Sequence, residues 1–450
     1  REHLPEEEII ADTAFEMPPI YRDSPKMRKQ MARVYNAIAL TDIRIGELLK
    51  KLKDDGLYDN TIIFFFADHG EGMPRGKTNG IDYGYRVPFI IRFPEKYKQL
   101  SPWGTGGKVA NELVNFEDLA PTVLSLAGAE SPQYLKGRAI LGKERIKPSN
   151  HLLLSSDRAD NGPDMVRTIT DGQYVYSRNF MPFLPQMRYI RYIEISDIAN
   201  HMRSDLADNV LDSLQKSLFE PRPMEFLFDV KNDSWETINL AEDKNFAPIL
   251  QRMGKQLNDK LRKAKDVHFL TEYELGEISK TTTPYTFRED GGQYPFEEIY
   301  KAASLSGKRV VSTLKEQVQL LKSKNPIVRY WAITGLKSHP EEHITSYKKE
   351  IEAAMDDSYP PVVVLASAMA YDYFNDADAE QSLKQFSKSD NMHLALLALN
   401  SMLYLDEKQP FLETVKEVQE MPDRNYNVKA ACLDYLGILG LVENNAKNEN

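Results

Sequence analysis

The sequence predicts a mixed α/β protein in three parts: an α/β region with a parallel-sheet core over residues 1–160, a small α+β unit with its linker over 161–285, and an all-α solenoid over 286–450. Three observations carry this. Thr61–Phe66 (TIIFFF) and Val87–Phe93 (VPFIIRF) are nearly unbroken apolar runs, as strands covered on both faces of a parallel sheet are. An Asp171-Gly172 step joins Met165–Ile169 to Tyr174–Arg178, a hairpin signal. Four segments, beginning near Asn325, Pro360, Asn391 and Asn425, each place an aliphatic residue four before a small one, which predicts stacked helices that cross closely.

In chain order, Ser24-Pro25 forms an N-cap and first-turn pair, so a helix is expected to follow. Met27, Met31, Val34, Ile38, Ile45, Leu49 and Leu52 make its apolar stripe, ending at Gly56. Asp42 falls on that stripe, and a carboxylate there is expected to point inward and find a partner. After the two apolar runs, Asn115 caps a helix with Asp118 in its first turn; Leu119, Val123 and Leu126 are expected inward, and Gly128 ends it. Glu225–Val230 reads as a strand, and Phe246–Ala264 as a helix with Ile249, Met253, Leu257 and Leu261 on one face. Residues 276–294 are polar and rich in Gly, Thr and Pro, as a linker is. The helical repeats pair Val328 with Ala332, Val363 with Ser367, Leu394 with Ala398 and Val428 with Cys432, the pattern of a HEAT-like solenoid.

Composition narrows the function classes. The 450 residues hold 57 Lys plus Arg against 67 Asp plus Glu, a net charge of −10, so nucleic acid is not expected as a partner. One cysteine, Cys432, excludes an internal disulfide framework and reads as a small buried hydrophobe. No apolar run approaches the length of a membrane span.

Asp68-His69-Gly70 stands at the carboxyl end of the first apolar run, the edge where ligands bind in open α/β sheets. The pair reads either as a loop ion pair or as two ligands of a divalent cation. Lys77, in the loop EGMPRGKTNG, reaches the same edge, and an ammonium beside a cation makes a positive cradle for a tetrahedral oxyanion. The tract Arg158, Asp160, Asp164 and Arg167 (SSDRADNGPDMVR) reads either as substrate-facing or as loop charges in solvent.

The stretch from Tyr35 to Pro94, containing ADHGEGMPRGKTNG, resembles the second half of the catalytic domain of the formylglycine-dependent sulfatases, in the alkaline phosphatase superfamily. Asn115–Gly137 and Glu225–Ala241 (EFLFDVKNDSWETINLA) resemble two later segments of that family, and the Pro-Arg-Gly-Lys spacing is most similar to its heparan N-sulfatase-like branch. The resemblance implies a sulfuric ester hydrolase acting on a sulfated carbohydrate, periplasmic or extracellular. It implies Asp68 and His69 as calcium ligands, and Lys77 as the catalytic residue that binds the sulfate, with Arg158 a further candidate substrate contact. The family's nucleophile is a formylglycine made from Cys-x-Pro-x-Arg or Ser-x-Pro-x-Arg, a string these residues do not contain. The chain alone is therefore expected to be inactive. Two alternatives stand beside this: a phosphohydrolase of the same superfamily, or a solenoid scaffold for protein or glycan carrying a decayed catalytic domain.

Overall fold

The computed structural model describes residues 4–104 and 106–445. It is mixed α/β with a mostly helical C-terminal region. Helix α1 (Pro25–Asp54) starts where Ser24 Oγ accepts the Met27 N–H at 3.2 Å and Pro25 occupies the first turn. Only the start of its apolar stripe is buried: Met27 and Met31 pack with Ile20, Tyr21, Met187 and Ile190. Further along, Ile38 and Asp42 are exposed. The expectation for Asp42 is thus corrected: the helix runs past its core there, and solvent satisfies the carboxylate.

Strands β1 (Ile63–Phe66) and β2 (Phe89–Arg92) form a two-stranded antiparallel sheet, with Ile63 opposite Arg92 and Phe66 opposite Phe89. The parallel arrangement expected from their composition is not found. Parallel neighbours need a crossover that carries the chain back to the starting end. Here the connection folds up at one end of the sheet, its only helix being the single turn Asp82–Tyr85, so the chain re-enters where it left. Phe65, Phe66 and Ile90 remain exposed, and the rings of Phe66, Phe89 and Phe116 gather within 5.0–6.4 Å of one another.

The Asn115–Asp118 capping box and Gly128, at φ 72°, bound the helix Leu119–Ala127 as expected, but its buried side is different. Pro121, Thr122 and Ser125 are inside, and Val123 is exposed. The reason is a hydrogen-bonded dock: Thr122 Oγ1 accepts the Ile140 N–H at 3.0 Å, and Ser125 Oγ accepts the Glu144 N–H at 3.1 Å.

A second, antiparallel sheet runs β3 (Leu152–Ser156), β4 (Val166–Thr170), β5 (Tyr174–Asn179), β6 (Glu225–Asp229). The β4–β5 turn is built as its sequence dictates: Gly172 takes φ 87°, and the Asp171 carboxylate accepts the N–H groups of Gln173 and Tyr174. The helix Ala247–Ala264 packs on β4 and β5 and buries Met253, Leu257 and Leu261.

From Phe296 onward every regular element among the described residues is helical. The helices Pro326–Leu336, Pro360–Phe374, Met392–Met402 and Tyr426–Ile438 each pack on the next. Ala332, Ser367, Ala398 and Cys432 are buried as the repeat pattern requires, with Val328, Leu394 and Val428. Val363 is only half-buried, while Val362 and Val364 are inside, because that helix is packed from several sides at once. One apolar core extends from Met165 to Leu436. At its centre the rings of Phe180, Phe269, Tyr300 and Trp331 meet, with Phe296 stacked on Tyr300. The 276–294 segment is not a simple polar linker: Gly291 and Gly292 are exposed, yet Ile278 and Tyr294 enter this core.

Candidate functional site

The connection from β1 to β2 carries Asp68, His69 and Lys77, and its shape is set by backbone approaches that only glycine permits. Gly70 donates to the Gly84 carbonyl at 2.9 Å, and Lys77 N–H to the Glu71 carbonyl at 2.8 Å. A Cβ on Gly76 would lie 1.8 Å from Glu71 O, and one on Gly70 would lie 2.4 Å from Tyr83 O.

The α+β unit locks this loop from the other side. Arg75, buried and held at φ 70°, donates to Gln186 Oε1 at 2.9 Å and to the carbonyls of Trp235 and Glu236. The Glu236 carboxylate accepts the N–H groups of Asp82 and Tyr83 at 3.0 and 2.8 Å. Burial pushes the Glu236 carboxyl up to about 7, partly offset by those two N–H donors. Thr168 and Ser177 hydroxyls donate to the Gly80 carbonyl at 2.7 and 2.6 Å. Two segments separated by some 150 residues in sequence, PRGK and NDSWET, are therefore one structural unit.

At the loop's outer rim, Asp68 is 85% exposed in its side chain and His69 39%. Asp68 Oδ1 lies 3.5 Å from His69 Nε2, and His69 Nδ1 lies 2.9 Å from the Gly70 carbonyl. A carbonyl oxygen only accepts, so Nδ1 carries the proton in that bond. In the neutral ring, Nε2 then presents a lone pair toward a carboxylate oxygen, an arrangement suited to a cation shared between them. A calcium ion takes six to eight oxygens, and among the described residues no third His, Cys, Asp or Glu joins the pair. The described residues alone do not fit a complete calcium site.

Lys77 is half-buried, with Nζ 4.0 Å from the centroid of the Tyr192 ring. The Tyr192 hydroxyl donates to the Gly72 carbonyl at 3.1 Å, and the Cβ position of Gly72 is 4.0 Å from His69 Cε1. The structure thus brings Lys77 and His69 to one neighbourhood around Gly72 and Tyr192. Tyr192 carried no signal in the sequence, since its role depends on a fold that brings a segment 115 residues away beside Lys77. Glu71, whose carboxyl is raised by partial burial, was equally silent.

Arg158 lies elsewhere. Its guanidinium grips Glu272 at 2.6 and 2.7 Å and the Asn161 carbonyl at 2.8 Å, lining a cavity that Asp68, His69 and Lys77 do not line. Asp164 and Arg167 are neither substrate-facing nor solvated: Asp164 is buried against Arg188 and Arg222, and Arg167 against Asp157 and Asp266. Their partners, up to 99 residues away, make them structural ion pairs.

Residues 5–129 match the family model described as Sulfatase. The chain is 34% identical over 268 residues to an ulvan-active sulfatase of Formosa agariphila, covering 59% of this chain and 44% of that one. It is 26% identical over 253 residues to human N-sulphoglucosamine sulphohydrolase, covering 52% and 48%. A protein solved in complex with its substrate D-glucosamine-2-N,6-O-disulfate aligns at 19% identity and TM-score 0.35, over 53% of this chain and 42% of that one. The chain spans about half the length of the relatives it matches. Among the described residues no helix is long and apolar enough to cross a membrane.

Proposed function

We propose that this chain is part of a sulfatase, a sulfuric ester hydrolase that removes sulfate from a sulfated carbohydrate outside the cytoplasm. The observation that carries the reading is the rim of the β1–β2 loop. There a carboxylate and an imidazole lone pair face each other at 3.5 Å, with the Lys77 ammonium fixed over Tyr192 nearby. In this reading Asp68 and His69 are two ligands of a calcium ion, whose other ligands and formylglycine nucleophile come from the remainder of the parent protein. The ion would supply positive charge that orients the sulfate and stabilises the developing oxyanion. Lys77 binds a sulfate oxygen and offsets the charge that grows there, and Tyr192 holds Lys77 in place. Arg158, committed to Glu272, is assigned no contact with this sulfate.

The C-terminal helices are read as a HEAT-like stack, supported by their serial packing and small-residue crossings. Their shared core with the α+β unit favours a buttress over a free-standing scaffold. The test is sulfate release from a nitrophenyl sulfate and from sulfated oligosaccharides by the parent protein, with nitrophenyl phosphate assayed alongside. Preferential sulfate turnover lost in Asp68→Ala supports the reading; faster phosphate turnover with little sulfate release refutes it.

A further inference from the structure

A cavity of about 100 Å³ opens where the β3–β4 connection, the segment from His268 to Leu275 and the helices Pro326–Leu336 and Met392–Met402 meet. Its walls are chiefly apolar and aromatic, with Phe183, Tyr330 and Tyr404 among them. Two features do not suit a mere packing defect. Asn400, on the lining, is 4% exposed, and neither its amide nitrogen nor its amide oxygen has a hydrogen-bond partner among the described residues. A buried amide left so is costly unless something fills its donor and acceptor. Lys337, also on the lining, has its ammonium 4.7 Å from the Phe183 ring centroid and no carboxylate within ion-pair distance among the described residues. Burial brings its amine down to about 8, so it remains mostly protonated at neutral pH.

The charge of Asp372 acts on the Lys337 ammonium from beyond ion-pair distance, and the carboxylates lining the cavity are committed to arginines. Asp157 is paired with Arg167, Asp164 with Arg222 and Glu272 with Arg158. What remains among apolar and aromatic side chains is a cation without a direct ion pair, one donor–acceptor amide and the Thr334 hydroxyl. Roughly 10–15 Å³ suffices for one water, so the space is larger than a single water needs. Rings that are apolar on their faces and hydrogen-bonding at their edges suit such walls.

We propose that this cavity binds a small sugar acid, a pyranose-sized ring bearing one carboxylate or sulfate group. The ring hydroxyls satisfy the Asn400 amide, and the anionic group lies against Lys337. The site is separate from the Lys77 rim and needs no sulfate hydrolysis, so it stands or falls independently of the catalytic reading.

The test is isothermal titration calorimetry of the 450-residue chain with glucuronate, glucose 6-sulfate, glucose and inorganic sulfate. Both sugar acids are expected to bind, about tenfold more tightly than glucose or inorganic sulfate. The better of the two acids identifies the anionic group. Lys337→Met should erase the preference for the acids over glucose. Asn400→Leu, close in volume, should abolish binding of all the sugars without lowering the melting temperature; Asn400→Ser serves if the leucine variant does not fold. Lys77→Ala should leave the glucuronate and glucose titrations unchanged. No binding of either acid, binding that Lys337→Met and the Asn400 variants leave intact, inorganic sulfate binding as tightly as the acids, or glucuronate binding lost in Lys77→Ala would each overturn the proposal.

Discussion

Tyr192 holds Lys77: the ammonium sits 4.0 Å from the centroid of its ring, while its hydroxyl is tied to the Gly72 carbonyl at 3.1 Å. A lysine alone is a flexible point charge, and stacking on a ring that is itself anchored narrows where that charge can go. In the parent protein, Tyr192→Leu should lower kcat/KM for a sulfate ester about two- to fivefold, the rate equivalent of a partly exposed cation–π contact. Tyr192→Phe should retain most activity. Equal losses in both variants would show that the hydroxyl, not the ring, matters.

Asp68 and Lys77 should fail differently. Asp68→Ala in the parent removes a charged donor from the proposed cation site, and turnover should vanish together with stoichiometric calcium. Lys77→Ala should leave calcium bound and reduce turnover, with weaker sulfate binding. The 450-residue chain by itself should release no sulfate. Calcium content measured beside chromogenic turnover separates these outcomes, and an Asp68→Ala parent with full calcium and full rate would remove the ligand assignment.

Gly76 offers a stability test free of chemistry. Its Cβ would fall 1.8 Å from Glu71 O, whereas one on Gly46, within α1, meets nothing within 4 Å. Gly76→Ala should destabilise by about 1–3 kcal/mol or more through forced backbone displacement. Gly46→Ala should stabilise by roughly 0.5–1 kcal/mol through helix propensity. Urea unfolding of the two variants gives opposite signs if the loop is as tight as described.

Asp434 should make stability fall as pH rises. It is buried, with Oδ2 accepting from Asn161 at 2.8 Å and Arg191 no closer than 3.6 Å. Burial, with the Glu194 charge adding to it, lifts its carboxyl to about 8. The folded state then binds a proton that the unfolded chain releases near pH 4. This stabilising contribution is complete below about pH 4 and is lost as pH rises to about 8. Asp434→Asn keeps a hydrogen-bonding side chain without the titration, so the gap between its melting temperature and that of the wild type should widen in its favour from pH 5 to pH 8. A constant gap would refute the assignment.

Ala398 is fully buried between successive helices. Ala398→Leu should cost about 1–3 kcal/mol by overpacking the crossing, read as a lower urea midpoint at unchanged slope. A neutral outcome would mean that the stack can spread to take the added volume.

Much of the architecture was legible because its determinants are local. Ser24-Pro25, Asn115 with Asp118, and Asp171-Gly172 each act within four residues, and each produces the predicted cap or turn. The small residues of the helical repeats were readable because their spacing recurs. Strand direction was not: an apolar run states that a strand seeks cover, and the path of the connection decides what it pairs with. Asp42 misled because a periodic stripe does not say where the core ends. Asp164, Arg167 and Tyr192 were opaque for a common reason, since each is defined by a partner 24 to 115 residues distant. The loop motif was visible as residues, but not the clamp that Arg75 and Glu236 make of it.

The exposed turn at Gly291 and Gly292 is the natural place for a protease to cut this chain. Severing it would not release the helices. Phe269 on one side of the cut faces Phe296 and Tyr300 on the other, and Trp331 donates its indole N–H to the Phe269 carbonyl at 2.8 Å. The nicked protein would remain one particle of two peptides, travelling as a single species through gel filtration and parting only when denatured.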